Sequence, residues 1–567
     1  MKRKLLITFI FGVLALQLVG AQNTPKWLDK ASRAVFSIIT YDNQGNILKN
    51  GNGFFISNDG IGLSDYTTFK GAQRAVVVTS DGKQLPVTLI MGANDLYDVV
   101  KFRVGITKSV DALTVSSSPA AIGSDVYLIP YSTQKNKSCT TGKVNEATKV
   151  ESKYSYYTLS YPLDDKMVSS PIANANGEII ALAQKSPDKK DVSYGLDASF
   201  ASSLSISVVA MNDANLKAIA IKKDLPNEEN QALVYLYMSS SIVSNEAYTE
   251  LLNDFIAKFP NSADGYIKRA ENTLANDKDG AQLEAVQKDL DQAIKLSQHR
   301  DDALYNAARL MYASLINTKE NKDNGKWSLN TALQDIREAI SINELPLYVQ
   351  LEGNILFAMK KYDEALVSFQ KVNKSNIASA ASYYSTATTL QMLKRDNKEI
   401  VAMMDSCVNI CVKPFTRDAA PYILARAQAY TEAGMYRPAL LDYNTYYDVV
   451  NGNVNDLFYY YREQAANKAK QYQQALDDIQ KAIDLNPKEM LYRVEQGAMN
   501  LRVGRVDIAV KQLEDAIKVD DKFAETYRIL GLCKIEQKKK DEACTLFNKA
   551  KELGDENAQA SIDKYCK

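Results

Sequence analysis

A 34-residue repeat near the C-terminal end is the feature that most constrains how this chain can fold. Three alanines mark it, Ala475, Ala509 and Ala543, and each follows the previous one by 34 residues. A large apolar residue lies four positions after each of them, and another alanine lies three positions after that. This spacing puts all three side chains of a unit on one face of a helix. A single helical hairpin cannot bury its apolar face alone, so a fixed period of this length predicts a stack of hairpins.

The period also includes glycines, because Gly497 and Gly531 lie at equivalent positions. Together the small, large and small residues resemble the tetratricopeptide repeat. The resemblance implies about nine helix pairs over residues 231–567, a polar insertion at 317–324 and a capping helix at 555–566. It also implies a concave groove that binds an extended peptide or protein segment. In the register of that family, nine side chains face the groove: Tyr460, Tyr461, Gln464, Asn467, Lys468, Glu495, Arg502, Arg528 and Glu536.

The first 21 residues predict an export signal. Lys2, Arg3 and Lys4 form a basic start, residues 5–18 form a short apolar core, and residues 19–21 form a small-residue cleavage site. The apolar core is too short for a comfortable membrane span. We therefore expect a mature protein that begins near Gln22, is periplasmic or secreted, and has no transmembrane segment.

Charge and histidine content argue against several functions. The chain has 68 Lys+Arg and 68 Asp+Glu, so no net basic field favours nucleic acid. Its one histidine, His299, excludes mechanisms that need two imidazoles from one chain. The six cysteines match no metal-ligand spacing, so we expect neither a metal nor a cofactor. They could pair in an oxidising compartment, but buried free thiols are the favoured interpretation.

Residues 22–211 predict an all-β head, because short runs rich in Val, Ile, Tyr and Thr alternate with turn sequences. The expected strands are 34–41, 53–56, 75–79, 85–91, 99–104, 125–129, 154–159 and 178–183. Many short strands at this spacing are typical of a barrel or sandwich. The stretch 212–230 is polar and contains a proline, and it predicts a linker with a domain boundary near residue 225.

Three stretches of the head resemble trypsin-like serine proteases of the high-temperature-requirement type. Residues 51–63 have the Gly-x-Gly strand and Asp-Gly turn of that family, and residues 94–102 are similar to its strand with the catalytic Asp. Residues 166–171 correspond to its nucleophile motif, with the proline at the end fixing the alignment. The resemblance implies a multidomain protein, with an all-β trypsin-like double barrel followed by an all-α tetratricopeptide-repeat solenoid. It places Thr67, Asp98 and Val168 at the positions of the catalytic His, Asp and Ser.

Two of these three residues differ from what the family mechanism needs. A serine hydroxyl becomes a nucleophile when an adjacent imidazole takes its proton, and a backbone pocket must hold the oxyanion. Thr67 and Val168 supply neither the base nor the nucleophile, so the sequence predicts a degenerate triad and no enzyme activity. A dyad of Ser169 or Ser170 with Lys166 is an alternative, since a desolvated lysine can act as a base.

These observations predict an exported scaffold protein, with a pseudoprotease head and a repeat array that binds a protein or peptide partner. The alternative is a divergent serine endopeptidase whose repeat array recruits its substrate. In a third interpretation the head itself binds peptides without cleaving them. Fluorophosphonate labelling and casein cleavage distinguish the second interpretation from the other two.

Overall fold

The computed structural model describes residues 25–317 and 327–567. The predicted export signal at residues 1–21 and most of the polar insertion at 317–324 lie outside the described residues. The chain divides into two compact units, one that ends at Ser297 and one that begins at Gln298. The domain boundaries expected near residues 211 and 230 stay predictions.

The first barrel begins soon after helix α1 (Leu28–Arg33), and helix α2 (Tyr66–Phe69) lies between two of its strands. Its strands are β1 (Val35–Tyr41), β2 (Ile47–Phe55), β3 (Ile61–Ser64), β4 (Arg74–Val78), β5 (Gln84–Asn94) and β6 (Val99–Val104). They close in the order β1-β2-β3-β6-β5-β4, with antiparallel pairing throughout. Alternate residues of a strand point to one face, so Phe36, Ile38 and Thr40 of β1 are all buried.

The second barrel has the same number of strands: β7 (Asp125–Leu128), β8 (Thr140–Val150), β9 (Tyr154–Leu159), β10 (Pro171–Ala173), β11 (Ile179–Lys185) and β12 (Ser193–Asp197). They close in the order β10-β11-β12-β9-β8-β7. The double barrel expected from the sequence is thereby confirmed. Four of its strands were not expected, β3, β8, β10 and β12, because they are either very short or, in β8, almost entirely polar and exposed.

The two barrels share an apolar core. Phe54, Leu63 and Val99 of the first barrel pack in one cluster with Leu182 and Leu196 of the second. All five side chains are completely buried. This shared core fixes the position of one barrel against the other, and with it the loops that meet at their junction.

Six helices complete the first unit: α3 (Ala198–Ser203), α4 (Ala214–Lys217), α5 (Glu229–Ser239), α6 (Asn245–Lys258), α7 (Ala263–Asn276) and α8 (Leu283–Leu296). The stretch 212–230 packs closely here. Its Leu216, Ile219 and Leu225 are buried in the core of the first barrel, and the backbone N–H of Ile90 in β5 donates to the carbonyl of Lys222.

The second unit is built from helices that follow one another in hairpins. They are α9 (Arg300–Asn317), α10 (Leu329–Ile342), α11 (Pro346–Ala358), α12 (Tyr362–Asn373), α13 (Ala380–Met392), α14 (Asn397–Asn409), α15 (Ala420–Glu432), α16 (Tyr436–Val449), α17 (Asp456–Lys468), α18 (Tyr472–Leu485), α19 (Met490–Arg502), α20 (Val506–Val519), α21 (Ala524–Glu536), α22 (Lys540–Glu552) and α23 (Ala558–Tyr565). Each odd-numbered helix from α9 to α21 packs on the next helix, and α23 packs on α22. The all-α repeat array expected from the sequence is confirmed.

Close contact between the two helices of a hairpin explains the small residues of the repeat. A Cβ atom added to Gly497 would lie 2.6 Å from the Cγ of Leu513, and one added to Gly531 would lie 2.6 Å from a ring carbon of Phe547. The alanines that mark the period are completely buried. The period therefore reports positions where neighbouring backbones approach closely.

A disulfide bond joins Cys544 of α22 to Cys566, which follows α23. Their Cα atoms lie 5.7 Å apart, because α23 folds back along α22. The interpretation that the cysteines are buried free thiols is therefore wrong for this pair and confirmed for Cys407 and Cys533, whereas the free thiols of Cys139 and Cys411 are half-buried.

Candidate functional site

The positions that correspond to the catalytic His and Asp are in contact in the head. The backbone N–H of Thr67 donates to Oδ1 of Asp98 over 2.7 Å. Asp98 is half-buried and has a positive φ of 46°. Burial raises the pKa of the Asp98 carboxyl, and the nearby Asp65 carboxylate raises it further. The junction thus brings together Thr67 and Asp98, the two residues that the sequence resemblance places at the His and Asp positions.

The loop 164–170 contains the position of the nucleophile, Val168. A short 3-10 helix, Asp165–Met167, begins this loop, and Asp164 caps it by accepting from the N–H of Lys166 at 3.0 Å. The N–H of Val168 donates to the carbonyl of Asp165 at 3.4 Å. In trypsin-like enzymes, the backbone N–H groups at the positions of Lys166 and Val168 donate to the oxyanion. Here both N–H groups are engaged by oxygen acceptors inside the loop.

A buried polar network ties loop 164–170 to the first barrel. Ser169 donates to Oδ2 of Asp65 at 2.7 Å, and both side chains are at least nine-tenths buried. The amide of Asn52 in β2 donates to the carbonyls of Lys166 and Val168 at 2.8 and 3.0 Å. The loop is therefore held from two sides by side chains more than 100 residues away in the chain.

The Ser–Lys alternative does not form as a hydrogen-bonded dyad in this arrangement. The hydroxyl of Ser169 is engaged by Asp65. Ser170 is completely buried, and its hydroxyl has no hydrogen-bond partner among the described residues. Lys166 is exposed, so its side chain lies in a solvated environment.

Residues 51–182 match the protein family described as the trypsin-like peptidase domain. The head is a trypsin-like domain. The matched range includes Thr67, Asp98 and Val168, the three residues that the sequence resemblance places at the triad positions. The prediction that the protein is not an enzyme is therefore wrong, because residues 51–182 match a peptidase family.

Two solved proteases are similar to part of the chain. The active form of the Rv3671c protease from M. tuberculosis is 19% identical, with 31% of this chain and 80% of that one covered and a TM-score of 0.27. The serine endoprotease from Yersinia pestis is 17% identical, with 31% of this chain and 62% of that one covered and a TM-score of 0.27.

Curated relatives match a further short part of the chain. The small glutamine-rich tetratricopeptide repeat-containing protein 2 of Mycosarcoma maydis is 32% identical over 92 residues, which is 16% of this chain and 26% of that protein. The human DnaJ homolog subfamily C member 7 is 32% identical over 91 residues, 16% of this chain and 18% of that protein. The small glutamine-rich tetratricopeptide repeat-containing protein 2 of Saccharomyces cerevisiae is 30% identical over 101 residues, which is 17% of this chain and 29% of that protein. The chain thus spans less than a third of each relative, and its helical array is tetratricopeptide-like.

The nine predicted groove residues do not all lie in one place. Three of them come together beside α17: Tyr460, Gln464 and Glu495. Tyr461 is 43% exposed, and its ring lies 5.9 Å from that of Tyr460. Three others are exposed: Lys468, Arg502 and Glu536. Arg528 forms ion pairs with Glu525 and Asp555. Asn467 is 6% exposed, so little of it reaches solvent.

One residue of this region was not expected. Glu463 lies 34 positions before Gly497, so a carboxyl side chain stands where two other units have glycine. It is completely buried. Burial, followed by the nearby Glu495 carboxylate, raises the pKa of Glu463 to about 9. The sequence signal that could have identified it is a glutamate at a repeat position that is glycine in the next two units.

Within residues 25–317 and 327–567, no group of three His, Cys, Asp or Glu side chains is placed to hold a metal ion. None of the helices in those residues combines the length and the apolarity that a membrane crossing needs.

Proposed function

We propose that this protein captures extended segments of other polypeptides in the groove of its helical repeats. The observation that supports the proposal best is an open aromatic cavity of about 510 Å³ between α15, α16 and α17. Its walls include Tyr443, Tyr446, Phe458 and Tyr461. Tyrosines bury large areas, lose little conformational entropy and keep a polar end for water, so they are frequent anchors in protein interfaces.

The cavity suits an apolar side chain of a bound segment. The rings of Tyr446 and Phe458 are 5.3 Å apart, and those of Tyr443 and Phe458 are 5.9 Å apart in an edge-on arrangement. These contacts hold the walls in place before a ligand arrives, which reduces the entropy cost of binding. Leu457 and Tyr461 at its rim are both more than 40% exposed.

We also propose that the protein is exported. The predicted signal at residues 1–21 supports this, and the disulfide bond between Cys544 and Cys566 agrees with it, because such bonds persist in oxidising compartments.

A peptide library tests the capture of polypeptides. The full chain is incubated with immobilised random dodecapeptides, and the retained sequences are compared with those of the Tyr461→Ala variant. We expect retention by the wild-type protein and about tenfold weaker binding by the variant, as for an aromatic anchor of an interface. The matched control is Tyr237→Ala on α5, because Tyr237 is 78% exposed and lines no part of this cavity. Equal binding by all three proteins would remove the cavity from the proposal.

A second candidate function is peptide-bond hydrolysis by the head, and the family match over residues 51–182 favours it. The hydroxyl groups nearest the nucleophile position are those of Ser169 and Ser170. If the head is a serine peptidase that uses one of them, casein is cleaved and a fluorophosphonate probe labels the chain. Labelling should then disappear in Ser169→Ala or in Ser170→Ala, and its absence from the wild-type protein would exclude serine-nucleophile chemistry.

A further inference from the structure

Two buried acceptor atoms on α17 have no donor. Glu463 is completely buried and Asn467 is 6% exposed, and they lie one helical turn apart. Oε1 of Glu463 and Oδ1 of Asn467 each have no hydrogen-bond partner among the described residues. Buried polar atoms in native proteins are nearly always paired, and an unpaired acceptor reduces stability. A pair of them on one helix points to a ligand that supplies the donors.

Carboxyl groups gather at the same place. Gln464 donates to Oε2 of Glu463 at 2.6 Å, and it also lies close enough to Glu495 of α19 to lower the pKa of that carboxyl. Glu525 of α21 lies close enough to raise the pKa of Glu495, although burial is the larger cause. Three successive first helices of the array thus bring one carboxyl each towards this point.

Basic side chains of the protein balance only part of the negative charge of these carboxyl groups. Arg502 and Lys468 lower the pKa of Glu495, but burial and Glu525 outweigh them. Both basic residues are exposed. Arg528, the basic residue nearest to Glu525, is already paired with it and with Asp555. The site is therefore deficient in positive charge.

Aromatic rings border the acidic site and lead to the cavity. Tyr460 lies near Glu495 and Glu463, which both raise its pKa after the larger effect of burial. Its ring is 5.3 Å from that of Tyr492 and 5.9 Å from that of Tyr461, which lines the aromatic cavity. Aromatic faces attract ammonium and guanidinium groups as well as apolar groups.

A metal ion does not suit this arrangement, since the carboxyls are not grouped as metal ligands anywhere in the described residues. An organic cation with several N–H donors suits it, because it can reach separated acceptors at once. Lysine has three such donors and arginine has five.

We propose that the acidic site formed by Glu463, Asn467 and Glu495 binds a lysine or arginine side chain of the captured polypeptide. The same segment places a nearby apolar side chain in the aromatic cavity. This inference rests on the proposed capture of polypeptides and names the chemistry of the captured segment. When the cation arrives, the protonated Glu463 releases its proton to solvent, so that the cation donates to the two unpaired oxygens and the carboxylates neutralise its charge.

The dodecapeptide library also tests this inference, with the wild-type protein first. We expect lysine and arginine to be enriched in retained peptides, and acetylation of the lysines to weaken binding about tenfold, the loss expected for one charged hydrogen-bonding group. Blocking the peptide N-terminus should change nothing. Retention without basic enrichment, or retention that depends on the free N-terminus, would overturn the inference and leave capture intact. No retention at all would overturn both.

Variants locate the site. Glu495→Gln and Glu463→Gln keep the size of the side chain and remove the carboxylate that the bound cation needs. Each should weaken binding of basic peptides about tenfold and leave neutral peptides unaffected. Glu556→Gln is the matched control, because Glu556 is an exposed carboxyl near the C-terminal end. Melting curves confirm that the variants are folded, and equal weakening of basic and neutral peptides would overturn the assignment of the site.

Discussion

The hydroxyl of Ser169 donates a 2.7 Å hydrogen bond to Asp65, a residue 104 positions earlier, inside the junction of the two barrels. Asp65 also accepts from the backbone N–H of Thr68 at the start of α2. One carboxylate therefore orients both the helix that begins beside Thr67 and the loop that contains Val168. The two halves of the trypsin-like head are coupled at the place where the family has its reactive groups.

At Ser169 a hydrogen bond to Asp65 stabilises the fold and a positive φ strains the backbone, and two substitutions separate these effects. Ser169→Ala removes the donor to Asp65 and should lower the free energy of unfolding by about 1–3 kcal/mol. Ser169→Gly removes the same bond, but φ at this position is 65°, where glycine is unstrained. We expect the glycine variant to be about 1 kcal/mol more stable than the alanine variant, measured by urea unfolding. Equal stabilities would show that the backbone is not strained here.

A buried ion pair in the array gives a second prediction. Arg462 donates to both oxygens of Asp478 at 2.8 and 2.7 Å, and their side chains are 7% and 2% exposed. Burial still outweighs the arginine and raises the pKa of Asp478. Arg462→Met should lower stability by about 3–5 kcal/mol, because it leaves an uncompensated buried carboxylate. Adding Asp478→Leu should recover most of that loss.

An exposed pair is the control for this double substitution. Lys371 and Glu344 lie 2.9 Å apart with side chains 58% and 57% exposed. Lys371→Met should change stability by no more than about 0.5 kcal/mol. A comparable loss at both pairs, in the same urea titration, would contradict the role assigned to burial.

Glu463 predicts a dependence of stability on pH. Its pKa in the folded chain is about 9, against an ordinary glutamate value of 4.5. Between these values the folded state binds more protons at this group than the unfolded state, so its contribution to stability falls as pH rises. Glu463→Gln removes that titration. The variant should match the wild-type protein near pH 4 and exceed it at pH 8 by about 5 kcal/mol, because each of the roughly 3.5 pH units above the unfolded value contributes about 1.4 kcal/mol.

Thermal unfolding at several pH values checks this prediction. Asp418→Asn is a suitable control, because Asp418 is an exposed carboxyl in a short 3-10 helix. It should leave the pH profile of the melting temperature unchanged. A Glu463→Gln profile parallel to that of the wild-type protein would mean that Glu463 is ionised in the fold.

The disulfide pairing predicts how many cysteine thiols react before and after reduction. Four cysteines are free and two are joined, so unfolding in denaturant without reductant should expose four reactive thiols, and reduction should raise the number to six. The bond spans 22 positions, a loop length for which closure entropy predicts about 3 kcal/mol of stabilisation. Cys544→Ala should lose about that much, whereas Cys411→Ala, at a half-buried free thiol, should lose less. Six reactive thiols without reductant would refute the pairing.

The sequence predicted best where local spacing reflects a local contact. Ala509 and Leu513 lie in one helix and pack on its hairpin partner, so their period was visible without a structure. The fold of the head was accessible through its motifs, although β8 was missed because its side chains are mostly polar and exposed. Such a strand is set by its neighbours rather than by its own pattern.

The buried networks were out of reach because their partners are distant in the chain. Nothing in the sequence near Ser169 indicates Asp65 as its acceptor. Glu463 differs in this respect, since a step of 34 residues back from Gly497 leads directly to it. An exception within a repeat can thus be read from sequence, whereas a contact between two loops requires coordinates.

The disulfide bond between Cys544 and Cys566 also decides how the end of the array fluctuates. A helix that packs on neighbours on one side only normally opens early in native-state hydrogen exchange, and among the described residues α23 packs on α22 and α21. Here the covalent bond keeps α23 beside α22 during such openings, and its amides should exchange slowly as long as the bond is intact. Reduction frees the helix to open by itself. How often α23 detaches from α22 therefore depends on the redox potential of the medium.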